Sequence, residues 1–175
     1  WPAQVPVSVN VASPSFMSDG LLARLDSLVR RHGIAPRQLM VEVTESMLMA
    51  GADAAIARLE ALRAHGFKLS LDDFGTGFSS LSYVKRFPID ELKIDRAFVQ
   101  DVDRGGRDMA LVASIITLAR LLDLQVVAEG VETPAQARHL CELGCHVHQG
   151  YWFARPMAEA QLLPLLAQGR ITPGV

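Results

Sequence analysis

Polar side chains that could do chemistry recur at or beside the C-terminal ends of short apolar runs. Asn10 closes the first, Glu42 sits inside Met40-Val41-Glu42-Val43 with Glu45 just after, and the third ends at Asp72-Asp73. Lys93 lies in the fourth, Glu129 ends the fifth with Glu132 three residues on, and Gln149 belongs to the last. One acid at a strand end is ordinarily a helix cap or a solvated loop residue. Six ends in succession are hard to explain that way, and a charge amid Met40, Val41 and Val43 is costly without a partner. Asn, Glu and Asp are hard oxygen donors, suited to Mg²⁺, Mn²⁺ or Ca²⁺ more than to zinc. An adjacent pair such as Asp72-Asp73 can serve two ions, and two ions about 4 Å apart form the usual clamp for phosphodiester cleavage. Lys93 would orient a water or offset charge developing on phosphate. The residues alone thus point to a divalent-metal enzyme acting on a phosphorylated ligand, without defining the substrate.

These groups need elements to carry them, and the chain alternates strands with helices. Strands are expected at Val5–Val11, Leu39–Val43, Phe67–Leu71, Glu91–Ile94, Gln125–Ala128 and Val147–Tyr151. A helix capped by Ser18 or Asp19 places Leu21, Leu22, Leu25, Leu28 and Val29 at helical spacing and stops at Gly33. A second, from about Ala52 to His65, puts Ile56, Leu59 and Leu62 on one face. Further helices are expected over Ser79–Phe87, Asp108–Leu122 and Ala158–Ala167. Thr133-Pro134-Ala135-Gln136 combines Pro at the first helical position with capping-box spacing, opening a helix that ends at Gly144. Apolar strands alternating with amphipathic helices mean a parallel sheet covered by helices, either doubly wound or a βα barrel. A barrel normally needs eight strands and roughly 250 residues; the pattern here supplies six.

The bulk properties exclude little. The 175 residues are half apolar with a formal net charge of −2, so an anionic ligand must be held by a local site, and no surface for polymeric nucleic acid is indicated. No apolar run reaches the ~18–20 residues of a membrane span, and the opening Trp1-Pro2-Ala3-Gln4-Val5 lacks the basic start of a signal peptide. A cytoplasmic domain is expected, in a parent that could be membrane-attached. Cys141 and Cys145 lie near His139, His146 and His148, but Cys-x3-Cys across a helix end fits no common zinc pattern, and packing is the better reading.

Six strings, in order, resemble the motifs of the EAL domain family: Val7-Ser8-Val9-Asn10, Glu42-Val43-Thr44-Glu45-Ser46, Asp72-Asp73-Phe74-Gly75-Thr76-Gly77-Phe78-Ser79-Ser80-Leu81, Leu92-Lys93-Ile94-Asp95, Ala128-Glu129-Gly130-Val131-Glu132-Thr133 and Gln149-Gly150-Tyr151. The resemblance implies an α/β fold, a TIM-like βα barrel of the EAL type, and hydrolysis of cyclic di-GMP to linear pGpG with Mg²⁺ or Mn²⁺, two ions being expected. By motif match, Asn10, Glu42, Asp72 and Asp73 fall on metal-ligand positions, Lys93 on the position that contacts the nucleophilic water, and Glu129 and Gln149 on active-site positions. Glu45 matches the glutamate that steadies the loop Phe74 to Ser80, which lies close to the dimer contact in the family, and Glu132 matches an acid at the substrate edge. Gly75 and Gly77 would let that loop turn tightly. The resemblance further implies a homodimer and upstream sensory, receiver or diguanylate cyclase domains. The family's first two strands, its Glu-Ala-Leu segment and a nearby arginine have no counterpart in the sequence, so residues 1–175 are expected to be the C-terminal three-quarters of one domain, inactive or unstable alone. A receptor that binds cyclic di-GMP without cleaving it is the alternative, an enolase-like barrel or a structural dimerisation module being remoter ones.

Overall fold

The computed structural model describes residues 5–75 and 81–169 and divides into two compact units between Leu92 and Lys93. Thr76 to Ser80, which make up most of the Phe74–Ser80 loop and the start of the helix expected from Ser79, lie outside the described residues, as do Trp1 to Gln4.

In the first unit, β1 (Val7–Asn10), α1 (Ser13–Phe16), α2 (Leu21–His32), β2 (Leu39–Thr44), α3 (Glu45–Met49), α4 (Ala52–Ala64), β3 (Lys68–Phe74) and α5 (Leu81–Val84) precede β4 (Glu91–Ile94), whose first two residues belong to it. β1 pairs in parallel with β2, and β2 with β3. Asp90 N–H donates to Leu69 O at 2.9 Å and Ser70 Oγ to the buried Glu91 Oε1 at 2.8 Å, which brings the start of β4 beside β3. Asn10 stands opposite Glu42, Glu42 opposite Ser70 and Thr44 opposite Asp72. Because side chains alternate along a strand, Asn10, Glu42, Ser70 and Asp72 share one face while Val41, Val43, Leu69 and Leu71 take the other. Those four apolar residues have no exposed surface, as a parallel sheet covered by helices requires.

In the second unit, the rest of β4 is followed by α6 (Arg96–Val99), α7 (Arg107–Leu121), β5 (Gln125–Ala128), α8 (Pro134–Leu143), β6 (Val147–His148) and α9 (Glu159–Ala167). β5 pairs in parallel with β6, and Glu129 N–H donates to Ile94 O at 3.1 Å, so β5 lies between β4 and β6. α7 buries Val112, Ile115, Ile116 and Ala119 along one stripe. The capping box of α8 is formed as expected: Thr133 Oγ1 accepts from Gln136 N–H, and the Gln136 side chain reaches back to Thr133 N–H.

Several elements differ from expectation. α2 is capped by Gly20, not by Ser18 or Asp19; Ser18 Oγ is used one residue early, accepting from Gly20 N–H at 3.3 Å. Its buried stripe is Leu21, Leu25 and Val29, with Leu28 exposed. On α4 the buried positions are Ala55, Leu59 and Leu62, Ile56 being only half-buried. β3 runs three residues past Leu71, to Phe74, and carries Asp72 and Asp73 near its C-terminal end, where the sequence pattern put them. β1 is shorter than the run Val5–Val11, and β6 holds two residues instead of five: after His148 the chain folds onto Val131, whose carbonyl accepts from Trp152 N–H at 2.9 Å. A Cβ on Gly150 would lie 2.2 Å from that carbonyl oxygen, so the approach requires glycine there.

Gln136 does more than cap. Its buried side chain accepts from Glu132 N–H (2.8 Å) and Thr133 N–H (3.0 Å) and donates to Gln100 O (2.9 Å), tying the turn after β5 to the segment after α6. Gln136→Ala would strand these groups at a cost of about 1–3 kcal/mol. The expected result is a lower urea midpoint with an unchanged m-value, against a near-neutral Thr133→Ser.

Candidate active site

In the first unit the expected metal ligands converge. Glu42 (5% exposed) and Asp72 (8%) are buried on the polar face of β2 and β3, with Asn10 at the open end of β1 beside them. One terminal atom of the Asn10 amide lies 3.3 Å from both Asp72 Oδ2 and Glu42 Oε2. Taken as the NH₂ group it donates to both carboxylates; turned over, the amide brings a third oxygen against two anionic ones, an arrangement that needs a cation. Asp73, next along the strand, is half-buried with a left-handed backbone (φ 57°), and its N–H donates to Asp72 Oδ1 at 3.0 Å. The turned backbone presents both carboxyls from adjacent residues, which straight strand alternation would send to opposite faces. The donor set is all oxygen and fits a hard divalent ion.

Glu45 opens α3 directly after β2 and is buried (3% exposed). Its Oε2 accepts from Gly75 N–H at 3.1 Å, at the exit of β3, while the buried Oε1 has no hydrogen-bond partner among the described residues. What Glu45 does for the rest of the Phe74–Ser80 loop falls outside those residues.

The second unit gathers Lys93, Glu129, Glu132 and Gln149. Lys93 is buried (4% exposed), and its Nζ lies 2.6 Å from Glu129 Oε1, a short charge-assisted contact. Gln149 follows β6; its N–H donates to Ala128 O (2.8 Å), and its carbonyl accepts from Val131 N–H (3.0 Å). Glu132 pairs with Arg96 at 2.8 Å. A pocket of about 220 Å³ opens among Arg96, Glu129, Glu132, Gln149 and Tyr151, the last with the Arg155 guanidinium 4.4 Å above its ring. Sequence reasoning missed Arg96, the Ser70–Glu91 hydrogen bond and the anchoring role of Gln136. Arg96 had a signal: Lys93 and Arg96 are three apart, and so are Glu129 and Glu132.

Near β6, Cys145, His139 and His148 make backbone contacts, while Cys141 and His146 are exposed. Cys145 is buried with its thiol toward Val126 O (3.7 Å) and Val147 O (3.4 Å), Cys141 is exposed, and His139 and His148 each place a ring nitrogen 3.0 Å from a backbone carbonyl. Burial pushes the Cys145 thiol up to about 11. A raised thiol stays protonated until the pH approaches that value, so at pH 8 only about one in a thousand Cys145 groups is thiolate. Iodoacetamide at pH 8 is therefore expected to label Cys141 well ahead of Cys145, read by peptide mass spectrometry, and added zinc should leave that order unchanged.

The family model for the EAL domain matches residues 1–156. Bifunctional diguanylate cyclase/cyclic di-GMP phosphodiesterase MucR of Pseudomonas aeruginosa is 46% identical over 161 residues, covering 92% of this chain and 24% of its own length. A solved structure of the MucR phosphodiesterase with c-di-GMP superposes at a TM-score of 0.86 with 46% identity, covering 90% of this chain and 64% of that one. The EAL domain of Mycobacterium smegmatis DcpA matches at a TM-score of 0.90 with 34% identity over 95% of this chain and 75% of that one. Klebsiella pneumoniae BlrP1, solved with manganese and cyclic di-GMP, matches at 0.80 with 35% identity over 86% of this chain and 39% of that one. The chain spans between 19% and 24% of the length of four curated relatives it matches.

Proposed function

The chain belongs to the EAL domain family, with the family's α/β barrel fold, and we propose that in its full protein it hydrolyses cyclic di-GMP to linear pGpG with divalent metal. The observation that carries this reading is the convergence of Asn10, Glu42 and Asp72, two of them buried acids, on one face of a parallel sheet. The relatives' activity and their complexes with c-di-GMP and manganese support it.

In this reading Asn10, Glu42, Asp72 and Asp73 hold Mg²⁺ or Mn²⁺, two ions in all. When bound, such ions lower the pKa of water and offset charge on a phosphoryl oxygen. Lys93 hydrogen-bonds the attacking water, and Glu129 fixes the Lys93 ammonium through their 2.6 Å contact. The water oxygen forms the new bond to phosphorus, the P–O3′ bond breaks, and a proton ends on O3′; the product carries a 5′ phosphate. Gln149 and Glu132 border the pocket that would receive part of the dinucleotide. The domain would act in the cytoplasm as a homodimer beside sensory, receiver or diguanylate cyclase modules. No helix of the described residues is long and apolar enough to cross a membrane.

The test is hydrolysis by the full protein with Mg²⁺, followed by separation of products. The expected outcome is pGpG that disappears with chelator and returns with Mn²⁺, and a fall in kcat of about 10²–10⁴ for Asp72→Asn or Lys93→Ala. Binding without product would make the domain a receptor. Glu45→Ala removes no ligand but frees Gly75 N–H, so a fall in kcat of about tenfold is expected from lost positioning; unchanged turnover would remove Glu45 from the mechanism.

A further inference from the structure

We propose that Arg96 is a positioning residue: by pairing with Glu132 across Gly130, it holds the 129–132 turn so that the Glu129 carboxylate stays on Lys93. The catalytic consequence rests on the phosphodiesterase reading above; the positioning itself rests on geometry.

The ends of β4 and β5 are joined by three contacts in sequence. Lys93 Nζ meets Glu129 Oε1 at 2.6 Å, Glu129 N–H donates to Ile94 O at 3.1 Å, and an Arg96 guanidinium nitrogen meets Glu132 Oε1 at 2.8 Å. Between the two acids Gly130 has a left-handed backbone (φ 68°). A Cβ there would fall 2.3 Å from Arg96 Cγ and 2.7 Å from Arg96 Cβ, so the arginine stem lies directly on the glycine Cα. Glycine is required at 130 twice over, for its backbone angle and for this passage.

Both ends of the pair are anchored. Arg96 opens α6 behind Asp95, whose Oδ1 accepts from Ala97 N–H at 2.8 Å. Glu132 N–H is held by the buried Gln136 at 2.8 Å. The side chains themselves are 56% and 41% exposed, and an ion pair so exposed adds little to stability. Its effect falls on the turn, which has Glu129 at one end, Glu132 at the other and the arginine stem pressed on its middle. Glu129 meets Lys93 through its Oε1 and is held at its backbone by Ile94 O, so the place of its carboxylate depends on the path of the turn. A turn free to rotate about Gly130 would move that carboxylate, and an ångström of displacement is enough to slow turnover.

The experiment uses the full protein with Arg96→Ala, Arg96→Lys, Glu132→Ala and the Arg96→Ala/Glu132→Ala double variant. For Arg96→Ala, kcat is expected to fall about tenfold with KM within about twofold and a thermal midpoint within about 2 °C of the wild type. Arg96→Lys should recover part of the rate, and the double variant should be no slower than the worse single one, since both act through one contact. Hydrogen exchange of the peptide spanning 129–133 should quicken about tenfold in Arg96→Ala. Unchanged kcat and exchange would overturn the proposal. A raised KM at constant kcat would also overturn it, making Arg96 a substrate contact. If the wild type shows no hydrolysis, the phosphodiesterase reading fails, and the exchange measurement still decides the positioning.

Discussion

Everything about the polar face of this fold follows from the cost of burying carboxylates. Glu42, Glu45, Asp72 and Glu91 are all buried in the first unit, each on or directly after a strand of a parallel sheet. An anion removed from water needs hydrogen bonds or a cation in compensation. The structure meets that demand differently at each position. Glu91 takes the Ser70 hydroxyl, Glu45 takes the Gly75 amide, and Asp72 takes the amide of its own neighbour. The amide of Asn10 reaches both Glu42 and Asp72 at 3.3 Å and is a group able to face the pair with either end. That adaptability separates a structural acid from one suited to a metal.

The second unit solves the same problem with a fixed cation. Lys93 is as buried as the acids, and its ammonium is matched by Glu129 at hydrogen-bond distance. Three residues further along each strand end the arrangement repeats with Arg96 and Glu132, now near the surface. The repetition arises past the strands: α6 opens at Arg96 after β4, the chain turns at Gly130 after β5, and the two segments meet at Arg96 and Glu132. The buried pair lies where removing one partner would be expensive, while the exposed pair lies where it can be lost without unfolding the protein. Position, more than residue type, therefore divides the two cations between chemistry and alignment.

Most of this was legible in the sequence because strands and acids announce themselves by contrast. Glu42 amid Val41 and Val43 was visible as a buried charge, and the box at Thr133 and Gln136 as a helix start, since each depends on residues a few positions apart. What was hidden depends on distant partners. The apolar run Phe67–Leu71 stops three residues short of the end of β3, and the positive φ of Asp73 that lets two adjacent acids close the strand has no signature in the sequence. β6 was read as five residues because Gln149, Gly150 and Tyr151 carry no local stop, the stop being the backbone of Val131 pressing on Gly150. Leu28 fitted the helical period but faces outward, since the buried stripe on α2 is narrower than its apolar content.

The glycines of the second unit belong to the same logic. A parallel strand end can present a side chain to a site only if the backbone that follows turns away promptly. Gly130 does this after Glu129, and Gly150 after Gln149, and in both cases the space a Cβ would need is taken, by the Arg96 stem in one and the Val131 backbone in the other. The two turns are stacked as well, through the Val131 N–H to Gln149 O and Trp152 N–H to Val131 O bonds. A side chain added at either glycine would therefore shift two polar groups at once, the one it follows and the one across the contact. The acids and the amide are thus positioned as a set by close backbone packing, and the absence of two methyl groups is as much a part of the site as the presence of its carboxylates.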